Sequence, residues 1–329
     1  MLSIKTTIEK WPVAGSFRIS RSEITEITVV VASVSRNGRQ GRGECRPYAR
    51  YNETAETVSR QIASLNPKLS TLNTETLQDY LPAGAARNAV DLALWDLRAQ
   101  EEGRSVSSML GLETPAPRDT AYTLSIDTPS AMAEAAKRAS GYTLLKLKTG
   151  AQLAAQCAMA VTQARPDASL ILDTNEALST QQCGELQHAL RGKPVIMIEQ
   201  PVPADHPLPQ TIGETRPVIC ADEALHTRRD LSMLWEAGYR AVNIKLDKAG
   251  GLTEAVMLAQ AAKAHGFEIM LGCMVGTSLA MSPALLLEGF ADVIDLDGAL
   301  LLETDHEGGV TYRDGKIIPA PKDFWGYPR

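Results

Sequence analysis

The chain has 329 residues, 44% of them hydrophobic and 22% charged, a length and balance that suit about two folded domains, or one large α/β barrel with a smaller piece, and exclude a disordered or fibrous chain. Its 33 Lys and Arg stand against 39 Asp and Glu, a net charge of −6 with no basic run, so nucleic acid is excluded as a partner. There is no apolar stretch of the ~18–20 residues that a membrane span needs, no signal-peptide core at residues 1–12, and the five cysteines at 45, 157, 183, 220 and 273 show no CxxC pair, which reads as a cytoplasmic chain with reduced thiols.

Residues 1–114 read as an α+β domain. The β-branched stretch 26–34 (EITVVVASV) predicts a strand, Arg36-Asn37-Gly38 a turn and 39–45 a second strand, hence a hairpin. Helical patterns follow at 53–65, 74–80 and 85–100, the last placing Ala89, Leu92, Ala93 and Leu97 on one face with Gly103 as its stop. After Pro115 and Pro117 the pattern changes to short apolar runs alternating with helices. Strands are predicted at 121–126, 144–147, 170–172, 195–198, 218–220, 241–244, 268–271 and 292–294, and Thr128 with Pro129 opens the first intervening helix. No GxGxxG or GxxxxGK[ST] follows any strand, which disfavours a nucleotide-binding α/β sheet.

The strands end in chemically distinctive residues: Thr123, Lys148, Asp173, Glu199, Asp222, Lys245, Gly272 and Asp295, at intervals of 23 to 27. A near-constant step of one strand plus one helix, repeated eight times, predicts a (β/α)8 TIM-like barrel over residues 115–307, whose strand C-termini converge on one mouth. The tail 308–329 is expected to return to the N-terminal domain, which caps the mouth.

Asp173, Glu199 and Asp222 would therefore meet on consecutive strands. One acid there reads as a salt bridge; three in a row, flanked by lysines, call for a divalent cation, and all-oxygen ligation on rigid strands suits Mg2+. Lys146 and Lys148 are two apart and share a face; mutual repulsion and burial are expected to lower their pKa values enough for one to take a proton. Lys245 falls roughly across the mouth, either as a second acid/base on the opposite face of a substrate or as an anion clamp. Asp295 and Asp297 also share a face, either as an exposed loop pair or as the receptor for a substrate ammonium. Cys273 reads as lining and His265 as structural, while Arg46, Arg50 and Tyr51 are candidates for enclosing the mouth.

The motifs KLK (146–148), DTNE (173–176), EQP (199–201), ADE (221–223) and NIKLDKAGG (243–251) resemble the enolase superfamily, muconate-lactonising subgroup, over nearly the whole chain. Within it GECRPYARY (43–51), LPAGAARNAVDLALWDL (81–97), LGCM (271–274) and DLDG (295–298) look like the dipeptide epimerases, notably the L-Ala-D/L-Glu epimerases of murein peptide metabolism and peptidoglycan recycling. The resemblance implies Mg2+ on Asp173, Glu199 and Asp222, acid/base catalysis by Lys148 and Lys245, carboxylate binding by Lys146, substrate contact by Thr123 and ammonium binding by Asp295 and Asp297. The mandelate-racemase subgroup would need a His near the seventh strand end, where Gly272-Cys273-Met274 offers none. One departure stands out. The cap-loop arginine that pairs with glutamate in those epimerases falls on Ile24 here, leaving Arg18, Arg21 or Arg46 to replace it, or a broader set of C-terminal residues to be accepted. Epimerases of other dipeptides, N-acylamino-acid racemases, o-succinylbenzoate synthases and cycloisomerases share the lysines, and a metal-free Schiff-base barrel lyase could use Lys148 or Lys245 as nucleophile. The oligomeric state stays open, a homo-oligomer being compatible.

Overall fold

The computed structural model describes residues 1–19, 22–209 and 216–329, and the side chains of 1–15, 24–209 and 216–329. Arg18 and Arg21 thus lie outside the described side chains. The N-terminal sheet has three antiparallel strands, β1 (Ser3–Ile19), β2 (Ser22–Arg36) and β3 (Arg39–Cys45), in that order. The expected hairpin is β2–β3, with Arg36 paired to Arg39 and Val30 to Cys45. The long β1 was not expected as a strand; its Ser3, Lys5, Thr6, Thr7 and Lys10 are exposed, and it pairs with β2 from Ser3↔Ser35 to Pro12↔Glu26 before a register shift.

Over residues 27–34 both faces of β2 are covered, which is why this part of its sequence is a run rich in β-branched residues rather than an alternation. Ile27, Val29 and Val31 join the core shared with the barrel, whereas Val30, Ala32 and Val34 join a second core under three helices. Those helices are α1 (Ala55–Ala63), α2 (Leu77–Tyr80) and α3 (Ala85–Glu102). The glycines of β3 let α3 lie directly on it: a Cβ at Gly41 would stand 2.1 Å from the Ala93 carbonyl oxygen, and one at Gly43 2.3 Å from that of Ala89.

A short strand β4 (Arg118–Asp119) leads into eight parallel strands in sequence order: β5 (Tyr122–Leu124), β6 (Leu144–Lys148), β7 (Ser169–Asp173), β8 (Val195–Glu199), β9 (Val218–Ala221), β10 (Ala241–Ile244), β11 (Glu268–Gly272) and β12 (Val293–Asp295). The first and last strands meet at a seam where Ala121 N–H donates to the Ile294 carbonyl at 2.8 Å. Ala121, Ile171, Met197, Cys220, Ala241 and Met270 fill the interior, and Leu145, Leu147, Leu170, Leu172, Val242 and Leu271 face the surrounding helices. The first of these helices, Pro129–Arg138, is capped by Thr128 Oγ1 accepting from Ala131 N–H, as its sequence predicts.

Two further strands, β13 (Thr311–Arg313) and β14 (Lys316–Ile318), form an antiparallel pair, and β14 in turn pairs with β4. The chain then reaches the N-terminal region. Trp325 Nε1 donates to the Arg42 carbonyl at 2.8 Å, and Asp96 of α3 receives both Gly326 N–H and the Arg329 guanidinium at 2.8 Å. On the other side α3 is tied to the barrel helix Leu252–His265 through Trp95 Nε1 to Thr253 Oγ1, 2.9 Å, and Thr253 to Asp91.

Candidate active site

The period-two geometry of a strand puts residues i and i+2 on one face, and the parallel register aligns Lys148 with Asp173 and Asp173 with Glu199. Asp222 follows the end of β9 and Lys245 the end of β10. These strand ends open into one cavity of about 780 Å³, including its mouth. Thr123, Lys146, Lys148, Asp222, Lys245, Asp295 and Asp297 all line it, together with Ile24, Arg46, Tyr48 and Tyr51 from the N-terminal region. Asp173 and Glu199 lie beneath the wall, both wholly buried. The structure thus brings all nine residues singled out in the sequence to one place.

Their contacts alternate in sign. Lys148 Nζ is 2.5 Å from Asp173 Oδ2. Lys146 Nζ bridges Glu199 Oε2 at 2.6 Å, Asp295 Oδ2 at 2.8 Å and Asp173 Oδ2 at 3.1 Å. Lys245 Nζ is 2.7 Å from Asp222 Oδ2. Asp297 Oδ2 accepts the Thr123 backbone N–H at 2.7 Å.

Six buried carboxyl groups (Asp173, Glu199, Asp222, Glu223, Asp295, Asp297) face four buried ammoniums (Lys146, Lys148, Lys245, Lys248), a surplus of two acids. The surplus is visible in the pKa values. Burial, then the charge of Asp173, pushes Glu199 up to about 8. Burial and Asp222 push Glu223 up to about 7, and burial and Asp295 push Asp297 up to about 6. For Asp173 and Asp222 burial acts in the same direction but is outweighed by the lysines, which hold both below the usual carboxylate range.

The sequence-based expectation of lowered pKa values for Lys146 and Lys148 needs correction at Lys146, and Lys245 behaves as Lys146 does. Burial does pull the Lys146 and Lys245 ammoniums down, but the carboxylates around them outweigh it and hold both well above the ordinary lysine value: Asp295, Glu199 and Asp173 for Lys146, and Asp222 and Glu199 for Lys245. The like-charge neighbour was weighed in the sequence; the closer opposite charges decide.

Among the described residues no three His, Cys, Asp or Glu side chains are grouped closely enough to hold an ion as they stand, since the carboxylate oxygens are turned onto ammoniums. The donor chemistry nevertheless fits a hard divalent cation: three wholly oxygen donor groups on adjacent strands, in a cluster whose acid surplus is two.

Several residues of the site were not picked out in the sequence. Lys248, one turn past Lys245, buries its Nζ against Asp222, 2.5 Å from Oδ1. Asn243 Nδ2 donates to Glu199 Oε1 at 2.7 Å; it stands two before Lys245, so the rule that paired Lys146 with Lys148 would have found it. Gln200 Oε1 accepts the N–H groups of Asp222 and Ala224. Asn175, Glu176 and Gln200 all have positive φ, at 44°, 66° and 33°. Such backbone is costly for side-chain-bearing residues and concentrates at functional sites; here it turns Asn175 N–H back onto Asp173 Oδ1 at 3.0 Å. Arg50 pairs in a fork with Glu176, joining the N-terminal region to the barrel mouth. Cys273 lines the cavity with its thiol pushed well up by burial.

Residues 1–111 match the family described as mandelate racemase / muconate lactonizing enzyme, N-terminal domain, and residues 130–323 that described as enolase C-terminal domain-like. The chain belongs to this family of the enolase superfamily. It is 42% identical over 329 residues to the L-Ala-D/L-Glu epimerase of Escherichia coli (strain K12), covering 96% of this chain and 99% of that one. It is 43% identical over 302 residues to an N-acetyl-D-glutamate racemase of Pseudoalteromonas sp, covering 91% and 95%. Among solved structures, an enolase family member from Agrobacterium tumefaciens with homology to dipeptide epimerases, determined with sodium and L-Ala-L-Glu, superposes with a TM-score of 0.94 at 39% identity over 99% of this chain and 100% of that one. Enzymes of the superfamily use Mg2+.

Proposed function

We propose that the chain is a Mg2+-dependent isomerase that inverts the α-carbon of the C-terminal residue of a dipeptide, with L-Ala-D/L-Glu as its first substrate and murein peptide turnover in the cytoplasm as its setting. Residues 1–114 form the specificity cap, 115–307 the catalytic barrel and 308–329 the tail returning to the cap. No helix among the described residues is long and apolar enough to cross a membrane.

The observation that carries this reading is the pair of buried lysines, Lys148 and Lys245, each on its own carboxylate in the wall of a single cavity. Asp173, Glu199 and Asp222 would hold Mg2+. Bound there, the ion supplies positive charge that stabilises the charge developing on the substrate carboxylate as the α-proton leaves. Lys146 Nζ binds and polarises that carboxylate. One of Lys148 and Lys245 takes the α-proton on its Nζ from one face, and the other delivers a proton from its Nζ to the opposite face, so the proton count is unchanged and the stereocentre inverts. With a cation held by Asp222 and Glu199, the pull of these carboxylates on the Lys245 proton would be weaker. Thr123 contacts the substrate, and Asp295 and Asp297 receive its α-ammonium. Asp295 Oδ1 is buried without a hydrogen-bond partner among the described residues, an acceptor suited to such a donor.

A second reading, an N-acylamino-acid racemase, is favoured by one feature: Asp295 Oδ2 is already on Lys146 and Asp297 Oδ2 on Thr123, so the acid pair has partners without an ammonium. Exchange of the α-proton in D2O separates the two. L-Ala-L-Glu should exchange and epimerise, EDTA should abolish both, and Mg2+ should restore them. Faster exchange of N-acetylglutamate than of the dipeptide would select the second reading, and trapping of a lysine adduct by borohydride without metal would overturn both in favour of a Schiff-base lyase.

A further inference from the structure

The cavity is lined by four cationic side chains, Arg46, Lys146, Lys148 and Lys245. Each of the three lysines is in ion-pair contact with a buried carboxylate. Arg46 is different. Its Nη1 donates to the Val275 carbonyl at 3.2 Å, and among the described residues its guanidinium forms no ion pair. The acids on its own segment and beside it are used elsewhere. Asp247 Oδ1 accepts the Arg46 backbone N–H at 3.1 Å and Asn88 Nδ2 at 2.9 Å, and Glu44 accepts from Thr277 N–H and its hydroxyl. The backbone at Arg46 is therefore fixed by Asp247, while its side chain lines the same cavity as Ile24, Val275 and Leu301. A guanidinium largely shielded from water and without an ion pair is disfavoured until an anion reaches it, and a carboxylate matches its fork in charge and shape.

We propose that Arg46 is a specificity-determining residue whose guanidinium receives the side-chain carboxylate of the substrate, so that the substrate class is dipeptides with an acidic C-terminal residue. This rests on the epimerase reading above. Ile24, in the same wall, contributes apolar contact alone. The main-chain carboxylate of the substrate goes to Lys146 and to the Mg2+ that Asp173, Glu199 and Asp222 would hold, its ammonium to Asp295 and Asp297, and its side chain to Arg46; each charge of a dipeptide ending in glutamate then has its own counter-charge.

The test compares kcat/KM for L-Ala-L-Glu and its neutral isostere L-Ala-L-Gln in the full-length Mg2+ enzyme and in Arg46→Met, Arg46→Lys and the double variant Arg46→Met with Ile24→Arg. The wild type should prefer the glutamate dipeptide by at least about tenfold, and Arg46→Met should reduce that preference by roughly thirtyfold or more, mainly through KM. Arg46→Lys, which keeps the charge but not the fork, should fall between, and Ile24→Arg should recover part of the preference by restoring a cation to the same wall. An equal loss for both dipeptides would mean that Arg46 only ties residue 46 to Val275, and would overturn the assignment. Should Arg46→Met fail to fold, Arg46→Lys decides: an unchanged preference overturns the assignment. Wild-type exchange of Ala-Gln without preference for Ala-Glu would overturn Arg46 and leave the epimerase standing, whereas no exchange of any dipeptide would overturn both.

Discussion

The side-chain amide of Asn243 reaches across β9 to donate to Glu199 Oε1 at 2.7 Å. Asn243 is itself wholly buried, and the room for it exists because β11 ends in a glycine: a Cβ at Gly272 would lie 2.2 Å from Asn243 Oδ1. Gly272→Ala should therefore displace the amide from Glu199. Partners that orient a metal ligand typically matter by about 10–100-fold in affinity, so calorimetric titration should show Mg2+ binding weakened at least about tenfold in Gly272→Ala, with Asn243→Ala behaving alike. Affinity equal to wild type in both would mean that Glu199 needs no orientation.

The two lysines should be separable by stereochemistry. Lys148→Ala and Lys245→Ala should each stop epimerisation, yet each should retain α-proton exchange in D2O from one stereoisomer, and from opposite ones. NMR of the α-proton signal for the L,L and L,D dipeptides reads this directly; normal epimerisation in either variant would remove that lysine from the chemistry.

Asp297→Asn takes one charge from the proposed ammonium site while keeping an oxygen for the Thr123 N–H. A charge-assisted hydrogen bond is worth roughly 1.5–3 kcal/mol, so kcat/KM for a free dipeptide should drop at least about tenfold. Its N-acetylated form should be a poor substrate for the wild type and little affected by the change. Equal turnover of acetylated and free dipeptides by the wild type would count against the ammonium role.

Glu44 offers a stability test away from the lysines. Burial pushes its carboxyl up to about 8, against the opposing pull of its Thr277 hydrogen bonds. The folded state thus holds this proton more firmly than the unfolded chain, where a glutamate titrates near ~4.3. The contribution is complete below that value and is lost as pH rises through about 8, at a slope of up to about 1.4 kcal/mol per pH unit. Glu44→Gln keeps the shape and hydrogen-bonding reach without the titration. Urea unfolding from pH 5 to 8 should show a flatter decline in stability for the variant, and parallel curves would exclude Glu44 as the cause.

What could be read in the sequence was what repeats. The near-constant step from Thr123 to Asp295 placed the strand ends, and the i, i+2 rule aligned Lys146 with Lys148 and Asp295 with Asp297. Contacts set by distance were not legible: Lys248 reaches Asp222 from a turn after β10, Gln200 does so from left-handed backbone, and the balance of charge around Lys146 and Lys245 depends on separations of a few ångströms. β1 escaped for another reason. Much of it carries polar, exposed side chains, so it has the hydrogen bonds of a strand without the β-branched run that marks β2.

The cavity wall has two origins. Its lysines and acids come from β-strand termini spread between Lys146 and Asp297, nearly half the chain, whereas Ile24, Arg46, Tyr48 and Tyr51 come from an N-terminal stretch. Inheritance can therefore act on the two halves separately. On the roles proposed above, substitutions confined to that stretch would change which peptide is accepted while the proton-moving apparatus passes unaltered from ancestor to descendant, and a mutagenesis library seeking new substrates would begin with those codons.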